Sequence, residues 1–221
     1  MNILALCDNE ELIQRLMLIL QKKKIGNFDF AYSPSNRIFQ EKYRDSETFK
    51  LLNLKVQSVV NHLVGHYDLI FSFHCKQIFP TNLVENVRCI NIHPGFNPYN
   101  RGWYPQVFSI INKLPLGATI HEIDAELDHG PIICQKEIKV EAHETSLDCY
   151  RKVLDAEIEL LDKHLENIIA GKYTANPPEA EGNLNLKKDF ADICHLDLNH
   201  VGTLQEHLDL LRALTHGDFT N

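Results

Sequence analysis

No apolar run in this 221-residue chain approaches the ~20 residues that a membrane-crossing helix requires. Positive charge is also short: 22 Lys and Arg stand against 30 Asp and Glu, a formal net charge of −8. Nucleic-acid binding wants a basic face, so the balance argues against that class as the principal partner, but not against a small anionic ligand held by a few local cations. The cysteines, Cys7, Cys75, Cys89, Cys134, Cys149 and Cys194, show no paired metal-ligand spacing. Most sit within apolar runs, as buried thiols in a reducing compartment do. Met1 leads into an apolar strand without the basic segment and apolar core of a signal peptide, so a cytoplasmic location is expected. Glycine is missing where a dinucleotide site would need it. The first strand-to-helix turn is Cys7-Asp8-Asn9-Glu10, with no small residue to admit a pyrophosphate, and this argues against an NAD-binding reading.

What is present is ordinary globular composition, 44% hydrophobic and 24% charged, in a length suited to one substantial domain with a small appendage. Asn2 to Cys7 reads as a buried parallel strand, followed by a helix capped at Asp8 or Asn9 with Glu10 and Glu11 in its first turn. Phe28 to Tyr32 and Tyr67 to Phe73 read as further strands, with a helix ending near Gly65 between them. Residues 37 to 48 are ambiguous. Apolar residues from Leu147 to Ile168 recur at spacings of three and four, behind a cap at Glu144-Thr145-Ser146, and Gly171 ends that helix. This pattern divides the chain into a main domain over residues 1–174, a linker-like Pro- and Glu-rich stretch over 175–186, and a small C-terminal segment over 187–221 that is expected to be shortened. In that segment Thr203-Leu204-Gln205-Glu206 matches a capping box, Leu204, Leu208 and Leu211 form a narrow apolar stripe, and Phe219 is the last apolar residue.

Chemistry concentrates in residues 86–106, NVRCINIHPGFNPYNRGWYPQ. Val87 to Ile90 reads as a strand that Pro94-Gly95 stops. Residues two apart on a strand share a side, so Asn91 and His93 present an amide and an imidazole together at its carboxyl end, where open α/β sheets place ligands. Further on, Ala118 to Ile123 and Pro131 to Val140 read as two strands, with Asp128-His129-Gly130 in the connection. Alone, Asn-x-His is more often a turn and a satisfied histidine, and an Asp in a hairpin-like loop is usually turn chemistry.

Taken together, Asn91-x-His93-Pro94, Gly117-Ala118-Thr119-Ile120-His121 and Asp128-x-Gly130-Pro131-Ile132-Ile133 resemble the formyltransferases that use 10-formyltetrahydrofolate. The resemblance is dense from Tyr67 to Val140 and thin on either side. Where glycinamide ribonucleotide and methionyl-tRNA formyltransferases commonly continue with Ser-Leu after His-Pro, this chain has Gly95-Phe96-Asn97-Pro98-Tyr99-Asn100-Arg101-Gly102-Trp103-Tyr104-Pro105. That loop is similar to the sugar N-formyltransferase branch, of the type acting on dTDP-4-amino-4,6-dideoxyglucose.

The resemblance implies a Rossmann-like α/β domain with a mixed, mainly parallel sheet and a catalytic trio of Asn91, His93 and Asp128. It implies a folate pocket at Gln77, Ile78 and Phe79, 10-formyltetrahydrofolate as co-substrate with no metal, a nucleotide-linked amino sugar as acceptor for surface polysaccharide synthesis, and a homodimer. Packing of Ile78 and Phe79 under the sheet is an equal alternative. For the sugar nucleotide the candidates are Arg101, Trp103, Tyr104, Lys187 and Phe190. Arg101 suits a phosphate bidentately; Lys187 and Phe190 suit a pyrophosphate and a base, although a solvated charge pair is the commoner meaning of such a run; and for Trp103 packing under the following helix is the favoured role. His121 and His129 have no partner at metal-ligand spacing and read as surface or hydrogen-bonded histidines.

Formyl transfer needs an oxyanion stabiliser and a proton acceptor. Asn91 supplies an amide N–H for the first. His93, whose unperturbed pKa lies close to neutral, can take the proton or share the oxyanion load, with Asp128 holding it or competing with it as final base. Methionyl-tRNA formyltransferase, formyltetrahydrofolate hydrolase and a non-catalytic sugar-nucleotide or folate binding module are the rival readings.

Overall fold

In the computed structural model, which describes residues 1–218, the chain builds a seven-stranded sheet flanked by helices. In order the elements are β1 (Ile3–Cys7), α1 (Glu10–Lys23), β2 (Phe28–Tyr32), α2 (Arg37–Tyr43), β3 (Phe49–Leu51), α3 (Gln57–His66), β4 (Leu69–Phe73), α4 (Thr81–Val84) and β5 (Arg88–His93). They continue with β6 (Arg101–Gly102), α5 (Pro105–Asn112), β7 (Leu116–Glu122), β8 (Ile132–Ile138), α6 (Ser146–Ile169), β9 (Leu184–Asn185), α7 (Lys187–Ile193) and α8 (Leu204–Leu214). The sheet order is β3-β2-β1-β4-β5-β7-β8, parallel from β3 to β5 and antiparallel across β5-β7 and β7-β8. The ambiguous stretch 37–48 becomes α2, with β3 following at Phe49. Its polarity is that of an edge, where one face is solvated.

The continuous apolar runs of β1 and β4 follow from burial on both faces. Ile3, Ala5 and Cys7 point into a core shared with Leu12 and Leu16 of α1 and Leu161 and Leu165 of α6, while Leu4 and Leu6 point into a second core with Val60 and Leu63 of α3 and Leu83 of α4. In β5, Ile90 and Ile92 face the α1/α6 core, and Cys89 faces the α3/α4 core. Strand alternation therefore puts Asn91 and His93 on the α3/α4 face. Beyond β4 on that face, the 94–104 loop and the 123–131 connection take the place of helices.

Local signals act as their chemistry dictates. Asn9 accepts from Leu12 N to cap α1, and Thr145 with Asp148 forms the capping box of α6. The linker-like composition of residues 175–186 does not leave them free: Asn176 bridges Ile132, and β9 pairs in parallel with β6. Pro and Glu lower propensity for regular structure, yet main-chain groups from the neighbouring loop hold the strap in place. The C-terminal capping box forms at Thr203 and Glu206, and Leu204, Leu208 and Leu211 are exposed along α8. Phe219 lies outside the described residues. None of the described helices is long and apolar enough to cross a membrane.

Leu161 of α6 is fully buried, whereas Leu18 of α1 is 65% exposed. Leu161→Ala is expected to cost about 2–5 kcal/mol of unfolding free energy and Leu18→Ala no more than about 0.5 kcal/mol, as read from urea denaturation midpoints.

Candidate active site

The antiparallel register between β5 and β7 sets Asn91 opposite His121 and His93 opposite Thr119, so four polar side chains leave one sheet face side by side. Asp128 comes to them from the β7-β8 connection, in the left-handed region at φ 50°. Its carboxylate accepts from Asn91 Nδ2 at Oδ1 (2.9 Å) and from the main-chain N–H of Gly102 at Oδ2 (3.1 Å), and Oδ2 lies 3.5 Å from His93 Nδ1. Asn97 Nδ2 donates to the Asp128 carbonyl (2.8 Å) and holds the backbone beneath the carboxylate. Thr119 Oγ1 donates to Gly95 O (2.7 Å) and accepts from Asn97 N (3.1 Å), which pins the loop that leaves β5.

These contacts decide the tautomers. A carboxylate only accepts, so the nitrogen of His93 facing Asp128 carries the proton and Nε2 holds the lone pair. His121 Nδ1 lies 2.7 Å from the carbonyl of Glu122 and must donate to it; His121 Nε2 then accepts from Asn91 Nδ2 (3.2 Å). Both N–H bonds of Asn91 are thus engaged, with Asp128 and with His121. Reversing the amide would set its oxygen against the carboxylate.

Burial pushes the His93 imidazole down to about 4, and the opposing effect of Asp128 does not offset it. Burial alone would raise Asp128. The His93 imidazolium that forms in acid, the contact with His121 and the Gly102 N–H outweigh it and hold the carboxyl at about 2. At neutral pH the pair is therefore an imidazole beside a carboxylate. The unperturbed value near neutral is not kept in the fold, where desolvation wins because the ring is only 3% exposed.

Among the described residues, the buried side-chain atoms without a hydrogen-bond partner are His93 Nε2, Asn97 Oδ1, Arg101 Nε and Asp162 Oδ1. The first two belong to residues bonded or paired to Asp128, and Arg101 precedes the glycine that donates to it. Orphaned buried atoms are costly, and their concentration here marks a place built for a partner that a ligand supplies. A Cβ on residue 95 would lie 2.5 Å from His93 Nε2, so only glycine leaves that lone pair uncovered.

The other sequence-derived candidates separate. Gln77 uses its side chain to tie loops together, accepting from Leu54 N (2.9 Å) and donating to Ser33 Oγ and Leu52 O (both 3.0 Å). Phe79 is buried in the α3/α4 core, as the packing alternative had it, while Ile78 is 82% exposed and does not pack under the sheet. Tyr104 and Phe190 rings meet at 4.0 Å, Trp103 lies against Tyr104, and Lys187 sits over the Trp103 ring at 5.5 Å. These four join the 101–105 loop to α7 and satisfy one another. Arg101 is buried and pairs with the exposed Glu181 at 3.0 Å. At the surface, Glu126, His129 and Glu181 bring ligand atoms within 4.8 Å of one another, but His129 and Glu181 are already engaged with Asp124 and Arg101. Sequence reasoning missed His121, Thr119 and Asn97 as parts of the site. The signal was there in part, since Thr119 and His121 are two apart on a strand next to the Asn-x-His strand.

The formyl transferase family model matches residues 5–165, and the N-formyltransferase dimerization C-terminal domain model matches residues 189–221. The chain belongs to the formyl transferase family. It is 57% identical over 162 residues, 73% of this chain and 69% of the relative, to the dTDP-4-amino-4,6-dideoxyglucose formyltransferase of Mycobacterium tuberculosis. Among solved structures, a sugar N-formyltransferase from Shewanella superposes with a TM-score of 0.95 at 45% identity, covering 100% of this chain and 91% of that one. A 4-N formyltransferase from Francisella tularensis gives 0.93 at 43% identity, covering 100% and 90%. The mixed, mainly parallel sheet and the family membership expected from the sequence are both borne out.

Because the native state holds His93 neutral below the usual histidine range, the unfolded chain takes up a proton near pH 6.5 that the folded chain refuses until about 4. Stability is therefore full above about pH 6.5 and falls on acidification toward 4, with a contribution from this residue on the order of 3 kcal/mol. In chemical denaturation across that range, His93→Gln is expected to show a shallower fall than the parent protein.

Proposed function

We propose that this protein transfers the formyl group of 10-formyltetrahydrofolate to the amine of a nucleotide-linked amino sugar, dTDP-4-amino-4,6-dideoxyglucose. The observation that carries this reading is the 57% identity to a formyltransferase of that name, over a stretch that includes the whole Asn91, His93, Asp128 cluster and the 95–105 loop. Tetrahydrofolate and the formylated sugar are the products. The pathway served is surface polysaccharide synthesis, in the cytoplasm. The exposed leucine stripe of α8 is the homodimer contact, in keeping with the family description of residues 189–221. In this reading residues 1–174 are the catalytic domain, the 175–186 segment joins it to the C-terminal part, and the loop at Gln77, Ile78 and Phe79 holds folate.

The chemistry follows from the tautomers. The sugar amine attacks the formyl carbon and forms the C–N bond, and the carbonyl electrons move onto oxygen. His93 Nε2, bare and buried, accepts the proton that the attacking nitrogen sheds; Asp128 stabilises the imidazolium so formed without taking the proton itself. At pH 7 the buried imidazole is unprotonated and so free to accept, and the charge on Asp128 offsets its weak basicity by stabilising the proton once it arrives. Asn91 donates to the oxyanion after releasing the longer of its two bonds, that to His121, and keeps its hold on Asp128. Collapse breaks the bond to the folate N10, which leaves with a proton returned from His93. Every step is served by protein groups, and acyl transfer of this kind requires no metal. Arg101, with its unpartnered Nε, meets the sugar nucleotide's phosphates, and the Trp103, Tyr104, Lys187 and Phe190 stack lies beside that path.

Incubation with both substrates, following tetrahydrofolate release and the mass of the sugar nucleotide, is expected to give formylated sugar in step with folate. Folate release without a formylated sugar would instead indicate hydrolysis or another acceptor. His93→Asn is expected to lower kcat by about 10²-fold or more, and Asn91→Ala by about 10²–10³-fold, both with unchanged circular dichroism.

A further inference from the structure

The strap that precedes α7 does more than connect. Arg101 N donates to Asn183 O (3.0 Å) and Trp103 N donates to Asn185 O (2.9 Å), one residue on either side of Gly102. Successive N–H groups of an extended segment point to opposite sides. With its two neighbours turned toward the strap, the Gly102 N–H is turned away from it, onto Asp128 Oδ2 at 3.1 Å. Residue 102 has φ 89°, and a Cβ there would collide with the main-chain oxygen of Asn185, so glycine is what permits this close pairing.

The strap is locked to the loop by a second set of bonds centred on Asn100, which is fully buried and left-handed at φ 50°. Asn100 N donates to Asn183 Oδ1 (2.8 Å), and Asn183 Nδ2 returns a bond to Asn100 Oδ1 (2.8 Å). Asn185 Nδ2 and Asn112 Nδ2 donate to the same Oδ1 at 3.3 and 3.0 Å. Such reciprocal amide pairing is specific in distance and direction. The mechanism above leaves all of it unused.

We propose that Asn183, Asn185 and Asn100 are positioning residues for Asp128: the strap aims the Gly102 N–H at the carboxylate, and through it sets the orientation of the His93 ring. This rests on the role given to Asp128 above. The alignment of the catalytic pair is thereby supplied by the same stretch of chain that leads into the C-terminal segment, so a change in how that segment is seated reaches the His93 ring through the Gly102–Asp128 hydrogen bond and the 3.5 Å Asp128–His93 contact.

The test is Asn183→Ala in the full chain. The variant strands the buried Asn100 N–H and removes the side-chain lock on the strap, while the Asn183 side chain itself touches no side chain assigned to substrate. Turnover with 10-formyltetrahydrofolate and the amino sugar nucleotide is expected to lose about 10- to 100-fold in kcat, the scale of a small misalignment. KM for either substrate is expected to stay within about twofold, since uniform binding is not what the strap supplies. Independently of activity, ¹⁵N NMR of the His93 ring at pH 7 is expected to show the Nδ1–H tautomer in the parent protein and a shift of population toward Nε2–H in the variant. An unchanged kcat, a KM that rises as far as kcat falls, or an unchanged tautomer in the folded variant would overturn the proposal. Should Asn183→Ala fail to fold, Asn185→Ala, which removes only the 3.3 Å bond, is read the same way with a smaller loss. If the parent protein shows no transfer, the proposed function fails, and the tautomer measurement still decides the strap.

Discussion

The site depends on one buried carboxylate. Asp128 lies on a connection between two strands, yet it meets β5 through Asn91 and His93, the 94–104 loop through Asn97 and Gly102, and β7 through His121 nearby. A charge in that position is tolerable only because donors surround it. The carboxylate in turn sets which nitrogen of the histidine beside it carries the proton and which is bare, while burial keeps the ring neutral in the resting state. Burial and pairing pull the histidine in opposite directions and burial prevails, whereas for the aspartate the donors prevail. The two outcomes separate the pair into an acceptor of protons and a fixed negative charge.

The sheet makes this constellation possible through a change of strand direction. Up to β5 the strands are parallel and their apolar faces are covered by helices; from β5 to β8 they are antiparallel. At that change the α3/α4 face loses its helical cover, and polar side chains of β5 and β7 emerge under loops instead. Loops carry function when a rigid scaffold positions them. Here the scaffold is the parallel half, whose strands β1 and β4 are buried on both faces.

The aromatic stack of Tyr104, Phe190 and Trp103 with Lys187, and the Arg101–Glu181 pair, join the C-terminal segment to the 101–105 loop at several points. Side chains that composition marks as ligand contacts are in large part contacts between one part of the chain and another. Lys187 is 84 residues from Trp103 and Phe190 is 86 residues from Tyr104, which is why no local pattern couples them.

Much was legible in the residues. The apolar runs of β1 and β4, the caps at Asn9 and Thr145, and the shared side of Asn91 and His93 follow from local periodicity and capping chemistry, which depend on near neighbours alone. The family was legible too, because its motifs are short and dense between Tyr67 and Val140. Only the folded chain decided the rest. That His121 stands opposite Asn91 is a matter of register between strands distant in sequence, and that His93 is neutral with a bare Nε2 is a matter of burial. Likewise the polar stretch at 183–185 is a strap because main-chain groups eighty residues away complete its hydrogen bonds, and propensity carries no record of such partners.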